Sequence, residues 1–429
     1  MAQIKPFQAV MYNKEKCKDI AKVISPPYDI ISPKQQGEYY QNSPYNIIRI
    51  ILGKDLKNDN EEKNKYTRAA GFFSSFLKKK ILIQDEKKSF YIYEQDFFLK
   101  KASGRKNLKR TGFLALVKTE PFGKSIFPHE QTFPKHKQDR AKLLKACQAN
   151  FSPIFGLYAP KDNKIQNIFA RTKKLKPIFQ IKFQDVVNKI WRIENKEDIS
   201  QIIGEISKNK TFIADGHHRY ETALEYAQEM KAKNPDHTGN ETYNYIMMMF
   251  VGMNDPGLEI LPTHRILKIG HQVLKSESLE ASIKEYFKIQ EFKNLANMMK
   301  NLKKVKYGFG MYDGRNYLIL KVNKASKIAK NFDPGIPKCW KTLDMVLLHH
   351  FFFKRILGIE PTPSESIKYV VDPMEAADLV KKDEYQVAFF LNSVKPEIVK
   401  NIALSGEKMP HKATYFYPKP LSGLIINKM

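Results

Sequence analysis

Apolar positions along this chain switch repeatedly between a two-residue and a three-to-four-residue rhythm, the signature of strands interleaved with amphipathic helices. The pattern predicts a strand over Ala2 to Val10, a rigid loop at Ser25-Pro26-Pro27-Tyr28-Asp29 and a continuous apolar strand from Ile47 to Leu52. A helix is expected from about Glu61 to Lys80, because Tyr66, Ala69, Ala70, Phe73 and Leu77 then fall on one face. Phe90 to Leu99 and Thr111 to Lys118 read as a hairpin turning near Gly104.

From Glu120 the texture changes to longer loops and short strands. Strands are expected at Pro153 to Tyr158, Ile178 to Phe183, Lys189 to Ile193 and Thr211 to Ala214, with a buried apolar strand at Tyr243 to Gly252. Helices are expected at Asp139 to Ala149, Lys196 to Ser207 and Tyr220 to Lys231. The last third alternates again: a helix near Leu279 to Phe287, a Tyr307 to Val322 hairpin turning at Asp313-Gly314, and an apolar helix Leu343 to Leu357. Strand Ile367 to Val371, helix Pro373 to Lys382, strand Gln386 to Leu391 and helix Pro396 to Leu404 close the chain. This is a mixed α/β, α+β pattern with expected modules at 1–119, 120–270 and 271–429, and neither a repeat nor low-complexity sequence interrupts it.

Composition narrows the picture. Hydrophobic residues at 42% and aromatics at 12% exceed what a disordered chain carries, so 429 residues can bury substantial cores. Three cysteines without C-x-x-C spacing, Cys17, Cys147 and Cys339, fit a reducing compartment. The first residues lack the apolar core of a signal peptide, and no segment approaches a membrane span, so a cytoplasmic location is expected, with no membrane partner. The formal charge of +28 invites a nucleic-acid reading, but 62 of the 73 basic residues are lysines spread along the whole chain. That distribution describes a solvated surface better than a binding stripe. Against this background the 11 arginines stand out, because a planar fork does what a lysine cannot; Arg49, Arg140, Arg219 and Arg265 fall inside motif-like segments, where an anion clamp and a buried ion pair are equally good readings.

Candidate chemistry concentrates at Thr211-Phe212-Ile213-Ala214-Asp215-Gly216-His217-His218-Arg219-Tyr220, a short apolar strand running through glycine into a helix. Such a junction presents helix-start amides and a positive dipole end to an anion. Gly216 would allow close backbone approach to a phosphate, Arg219 would clamp it, and one of His217 or His218 would add a donor or protonate a leaving oxygen, with His218 a candidate catalytic residue. The competing reading makes Asp215 a helix cap and the histidines local braces. Pro128-His129-Glu130 offers a carboxylate beside a histidine in a rigid loop, a candidate general base. Softer candidates for a substrate pocket are Tyr28, Asp29, Arg49, Asn150, Ser152, His264 and Arg265, while His349-His350 fits an apolar core.

These segments together resemble a large bacterial and archaeal family, domain of unknown function 1015. The resemblance rests on PPYD (Pro26 to Asp29), SPYN-x-x-R (Ser43 to Arg49), PHE-x-T (Pro128 to Thr132) and NFSPIF (Asn150 to Phe155). It extends to ADGHHRYETA (Ala214 to Ala223), LPTHR (Leu261 to Arg265) and TYFYPK-x-x-SGL (Thr414 to Leu424). A PHE loop followed by a DGHHR turn is also similar to the ParB/sulfiredoxin superfamily, especially its ADP-dependent free-serine kinases. That likeness implies a ParB/sulfiredoxin-like central core with N- and C-terminal α/β extensions, and an insertion between Glu130 and Asp215. It further implies that Asp215, Gly216, His217, His218 and Arg219 bind phosphate, with Asp215 a Mg²⁺ ligand, while Glu130 acts on a hydroxyl beside His129. ADP or ATP and a small-molecule substrate, serine or phosphoserine first, are the implied partners of a kinase or a phosphatase. Two other expectations stand beside it: a ParB-type nucleotide- or DNA-binding regulator, and a metal-dependent hydrolase using His129, Glu130, Asp215 and one of His217 or His218.

Overall fold

The computed structural model describes residues 1–101, 104–132, 134–274, 277–323, 330, 332, 336–341, 343–360 and 366–429. The fold is α+β, in two compact units assembled from interleaved segments. The first comprises Met1–Pro128, Thr132–Leu258 and Pro418–Met429; the second comprises His129–Gln131 and Glu259–Tyr417.

The first unit is built on a nine-stranded mixed sheet. Its strands are β1 (Ile4–Lys5), β2 (Phe90–Lys101), β3 (Gly104–Lys118), β4 (Ile126–Phe127) and β5 (Ile154–Tyr158), then β6 (Phe179–Phe183), β7 (Val186–Ile193), β8 (Thr211–Asp215) and β9 (Tyr245–Gly252). The order is β4-β8-β5-β9-β3-β2-β7-β6, with β1 beside β3. The β2–β3 hairpin expected from the sequence forms with Lys101 opposite Gly104, and residues 102–103 lie outside the described residues. Strands on both sides of residue 119 share this sheet, and the long middle segment of the first unit ends at Leu258.

Three helices of this unit matter for the site: α1 (Lys65–Lys78), α2 (Pro134–Cys147) and α3 (His217–Lys233). Helix α1 starts later than the apolar periodicity suggests because Asn64 and Thr67 form a reciprocal capping box, leaving Ala69, Phe73 and Phe76 on the buried face.

Two expected strands are corrected. Ile47 to Leu52 is not a strand: Ile48–Ile51 is a helical turn, nucleated by buried Asn46, whose Oδ1 accepts the Ile48 amide at 2.9 Å while its Nδ2 donates to the Lys22 and Ile24 carbonyls. An apolar run buried on every side carries no period, so sequence could not separate the two forms. Ala2 to Val10 is likewise not one strand; β1 ends before Pro6, and Val10–Tyr12 pairs separately with Leu82–Gln84.

The second unit contains a six-stranded antiparallel sheet. Its strands are β10 (His264–Leu267), β11 (Phe287–Phe292), β12 (Gly308–Tyr312), β13 (Tyr317–Val322), β14 (Ile367–Val370) and β15 (Val387–Phe390), ordered β11-β13-β12-β15-β10-β14. The apolar helix expected over Leu343 to Leu357 is one α-turn, Asp344–Val346, followed by a wide helix, Leu347–Ile356, in whose last turn the Leu357 amide reaches back five residues to the Phe352 carbonyl. Among the described residues, no helix is long and apolar enough to cross a membrane.

Candidate phosphate site

Strand β8 pairs with β5, but its register slips between Ile213 and Asp215, so the chain leaves the sheet just before Gly216. Gly216 is left-handed (φ +92°), and a Cβ there would lie 2.9 Å from the Arg219 guanidinium. Only glycine therefore permits the turn and the arginine together. Helix α3 begins immediately, without a side-chain cap on its first turn.

Arg219 folds back over that turn. Its Nη2 donates to Asp215 Oδ2 at 2.7 Å and its Nη1 to the Pro153 carbonyl at 2.5 Å. The other Asp215 oxygen accepts from Lys419 Nζ, delivered by the C-terminal segment. All three side chains are nearly buried, at 12%, 12% and 8% exposure for Arg219, Asp215 and Lys419. Two cations on one carboxylate leave the cluster with a net positive charge.

Arg219 also lines a cavity of about 60 Å³ together with Tyr28, Arg140, Asn150, Phe151, Ser152 and Thr222. Arg140 lies over the Tyr28 ring at 3.8 Å and donates to Asp139 and, at 3.0 Å, to the Ile51 carbonyl. Burial pushes the Tyr28 hydroxyl above its ordinary range, with Arg140 and Arg219 pulling the other way. Burial works against the Asp139 carboxylate, yet Arg140 and the Tyr66 hydroxyl hold it below the usual range. The cavity thus sets two guanidinium groups, each already held by hydrogen bonds, against a largely apolar wall that includes Ile51, Leu143, Leu144 and Ile246.

Four sequence candidates from three distant motifs meet here: Tyr28, Asn150, Ser152 and Arg219. The C-terminal segment completes the wall. Ser422 Oγ lies 2.6 Å from Ser152 Oγ, Asn427 Nδ2 donates to Asn150 Oδ1 at 3.0 Å, and the Gly423 amide donates to the Phe151 carbonyl at 2.8 Å. Lys419 and Ser422 were not among the candidates read from the sequence. Their signal was the TYFYPK-x-x-SGL segment, legible as a motif but silent about its contacts.

Other candidates stand elsewhere. Asp29 is exposed beside Tyr28 and does not line the cavity. Arg49 stacks on Tyr40 at 4.5 Å and donates to the Tyr40 carbonyl at 2.7 Å, a brace for the N-terminal loops. His217 is buried at 3% exposure, whereas half-buried His218 sets its ring 5.3 Å from His136 on α2; neither lines the cavity.

His129, Glu130, His264 and Arg265 belong to the second unit. His129 is fully buried, its Nε2 3.0 Å from Thr414 Oγ1. Glu130 Oε1 accepts the Lys412 amide at 3.1 Å and lies 3.3 Å from His411 Nδ1. Arg265, also fully buried, donates to His349 Nε2 at 2.9 Å and to the backbone carbonyls of Thr263, His411 and Lys412. Burial brings Arg265 down to about 10, with Tyr369 and Glu130 opposing. His264 accepts the Leu391 amide at Nδ1, and burial, then the Arg265 charge, pushes it down to about 3; it is a neutral core histidine.

The residues do not fit a Mg²⁺ ion at Asp215. Both its oxygens are held in ion pairs, and among the described residues no three His, Cys, Asp or Glu side chains gather as a metal site. The metal-dependent hydrolase expected from His129, Glu130, Asp215 and a histidine of the turn finds no such cluster.

Among curated proteins, none matches the chain. Solved structures similar to it include a free serine kinase in complex with AMP (13% identity, 70% of this chain and 89% of that one, TM-score 0.35). A conserved hypothetical protein from Pyrococcus furiosus is similar at 14% identity, 69% and 89% coverage and TM-score 0.35. SbnI with a C-terminal truncation, from Staphylococcus aureus, is similar at 11%, 72% and 85%, and TM-score 0.36. A family model described as "Protein of unknown function (DUF1015)" matches residues 4–346, and the chain belongs to that family.

Proposed function

We propose that this protein is a phosphotransferase acting on a small hydroxy metabolite, serine or phosphoserine first, with the phosphoryl group held beside Arg219. The observation that carries the reading is the convergence of Arg219, Arg140 and Tyr28, from three distant segments, on one small cavity. Phosphoryl transfer asks a protein mainly for positioning and charge neutralisation. In this reading the Arg219 fork receives the phosphoryl oxygens, Lys419 keeps the cluster cationic by sharing Asp215, and Tyr28 and Ser152 orient the group. Glu130 stays the proposed base on its sequence resemblance alone.

Size bears on the direction of the reaction. Pockets that enclose whole organic ligands run to ~300–1,000 Å³, whereas this one, at about 60 Å³, has the scale of a phosphoryl group. ADP or ATP would place only its terminal phosphate inside. A phosphohydrolase acting on phosphoserine therefore remains the second reading, favoured by that size.

The test is ³¹P NMR of the purified protein with serine plus ADP or ATP, and separately with phosphoserine, each with and without Mg²⁺. Turnover that Arg219→Ala abolishes is the expected result. Turnover equal in the parent and folded Arg219→Ala protein would remove the proposed phosphate site, and turnover equal in Glu130→Ala would remove the proposed base.

A further inference from the structure

The second unit has a cavity of its own, about 590 Å³ and roughly ten times larger than the one beside Arg219. That volume lies within the ~300–1,000 Å³ range of pockets that enclose organic ligands. Three segments build it: the chain leaving helix Leu295–Leu302, the residues around Asp344, and the entry to helix Pro396–Leu404.

Its chemistry is divided. Val305, Leu343 and Met345 supply apolar wall, while Lys303, Lys306 and Lys395 bring three positive charges against the single carboxylate of Asp344. Such lysines act as mobile point charges for an anion. Asn401 adds an amide able to meet either donors or acceptors, while the Asn392 amide is engaged with the Leu302 carbonyl and Asp344.

Tyr307 adds the decisive detail. It is a large aromatic residue, 40% exposed, held at φ +61°, a left-handed conformation that costs a non-glycine residue on the order of 1–2 kcal/mol. Structure on both sides keeps it there: its carbonyl accepts the Val322 amide at 2.9 Å, and Asp344 Oδ1 accepts the next amide, Gly308, at 3.2 Å. Strain that places an apolar ring at the edge of a cationic cavity is not what packing alone would select, since packing would bury the ring or use glycine.

We propose that this cavity binds a small organic anion with a planar body, its phosphate or carboxylate at Lys303, Lys306 and Lys395 and its ring against Tyr307. The site is separate from the cavity beside Arg219 and does not depend on the phosphotransferase reading.

Isothermal titration of the full chain tests it with AMP, adenosine, inorganic phosphate and indole-3-acetate. AMP is expected to bind at least tenfold more tightly than adenosine or phosphate, because it alone of the three joins charge to ring. Indole-3-acetate binding as well as AMP would assign the anion specificity to charge and not to phosphate. Lys303→Ala/Lys306→Ala and Tyr307→Gly should each weaken AMP at least tenfold, whereas Lys57→Ala, at an exposed lysine of the first unit, should leave it unchanged. Tyr307→Gly is the informative variant: it relieves the left-handed strain, so it should melt at an equal or higher temperature while losing the ligand. Failure of both AMP and indole-3-acetate to bind, or AMP binding that Arg219→Ala removes and Tyr307→Gly does not, would overturn the proposal.

Discussion

Replacing Lys419 with methionine keeps most of the side-chain volume and removes one charge from the Lys419–Asp215–Arg219 cluster. In the parent, two cations share one carboxylate, and both ionic groups of the Lys419–Asp215 pair are nearly buried. Opposite charges ~4 Å apart at an effective dielectric near 20 attract by about 4 kcal/mol before desolvation is counted. Arg219 still neutralises Asp215 in the variant, and methionine avoids the cost of burying an ammonium, so the expected loss is about 2 kcal/mol. For a unit of this size each kcal/mol moves the midpoint by roughly 2–4 °C, giving a fall of about 4–8 °C in a calorimetric melt. On the proposed reading millimolar phosphate should raise the melting temperature of the parent, and because the cluster charge drops by one that rise should shrink or vanish in the variant. A double-mutant cycle with Asp215→Asn isolates the pair; coupling of about 1–3 kcal/mol is expected, because Asp215→Asn alone leaves two cations facing each other. Additivity within about 0.5 kcal/mol, together with an unchanged phosphate response, would show that Lys419 neither stabilises Asp215 nor charges the cavity.

Gly216→Ala forces a Cβ into a left-handed turn and against the Arg219 guanidinium, so urea unfolding should show a loss of about 1–2 kcal/mol or more; an unchanged midpoint would refute the steric argument. Burial pushes the Cys147 thiol up to about 12, so native alkylation at pH 8, located by peptide mass mapping, should spare Cys147 until urea is added. Burial raises the Asp344 carboxyl from 3.8 to about 6, against hydrogen bonds from the Gly308 backbone and Asn392 that pull it down. The folded protein therefore holds that proton more tightly than the unfolded chain, and this contribution is full below pH 3.8 and lost as pH rises through about 6. At most about 3 kcal/mol is involved, and Asp344→Asn should flatten that part of the stability profile; a profile identical to the parent between pH 4 and 6 would refute the assignment.

The strand–turn–helix at Thr211–Lys233 was legible because each of its parts has a local cause: an apolar strand, a glycine where φ must be positive, and a helix whose buried face repeats through Tyr220, Ala223 and Ala227. Ile47 to Leu52 was misread for the opposite reason, since its form depends on the distant carbonyls of Lys22 and Ile24 that hold Asn46. Lys419 was invisible among 62 lysines, where no single one carries information. Gly423 resembles it: its φ of +82° and its approach to Ile47, where a Cβ would lie 2.9 Å away, are fixed by the C-terminal segment crossing the N-terminal loops. The interleaving itself, with residues 129–131 and 418–429 each counted with a unit other than their sequence neighbours, leaves no local trace in composition or period.

The scarce arginines show what such a chain keeps them for. Arg49, Arg140, Arg219 and Arg265 each donate to at least one backbone carbonyl: of Tyr40, Ile51, Pro153, and Thr263 with His411 and Lys412. Arg110, fully buried under the C-terminal segment, does the same to Pro418 while stacking on Phe155 at 4.5 Å. A lysine could supply the charge at any of these places, but its single ammonium cannot bridge a carbonyl and a second acceptor in fixed directions. Arg110, Arg140, Arg219 and Arg265 therefore mark largely buried joints between segments distant in sequence, a structural role that is compatible with the proposed anion clamp. At Arg219 the Pro153 and Asp215 bonds that lock the turn also hold the guanidinium at the cavity wall, so under the proposed function a phosphoryl group would meet a donor already fixed in place.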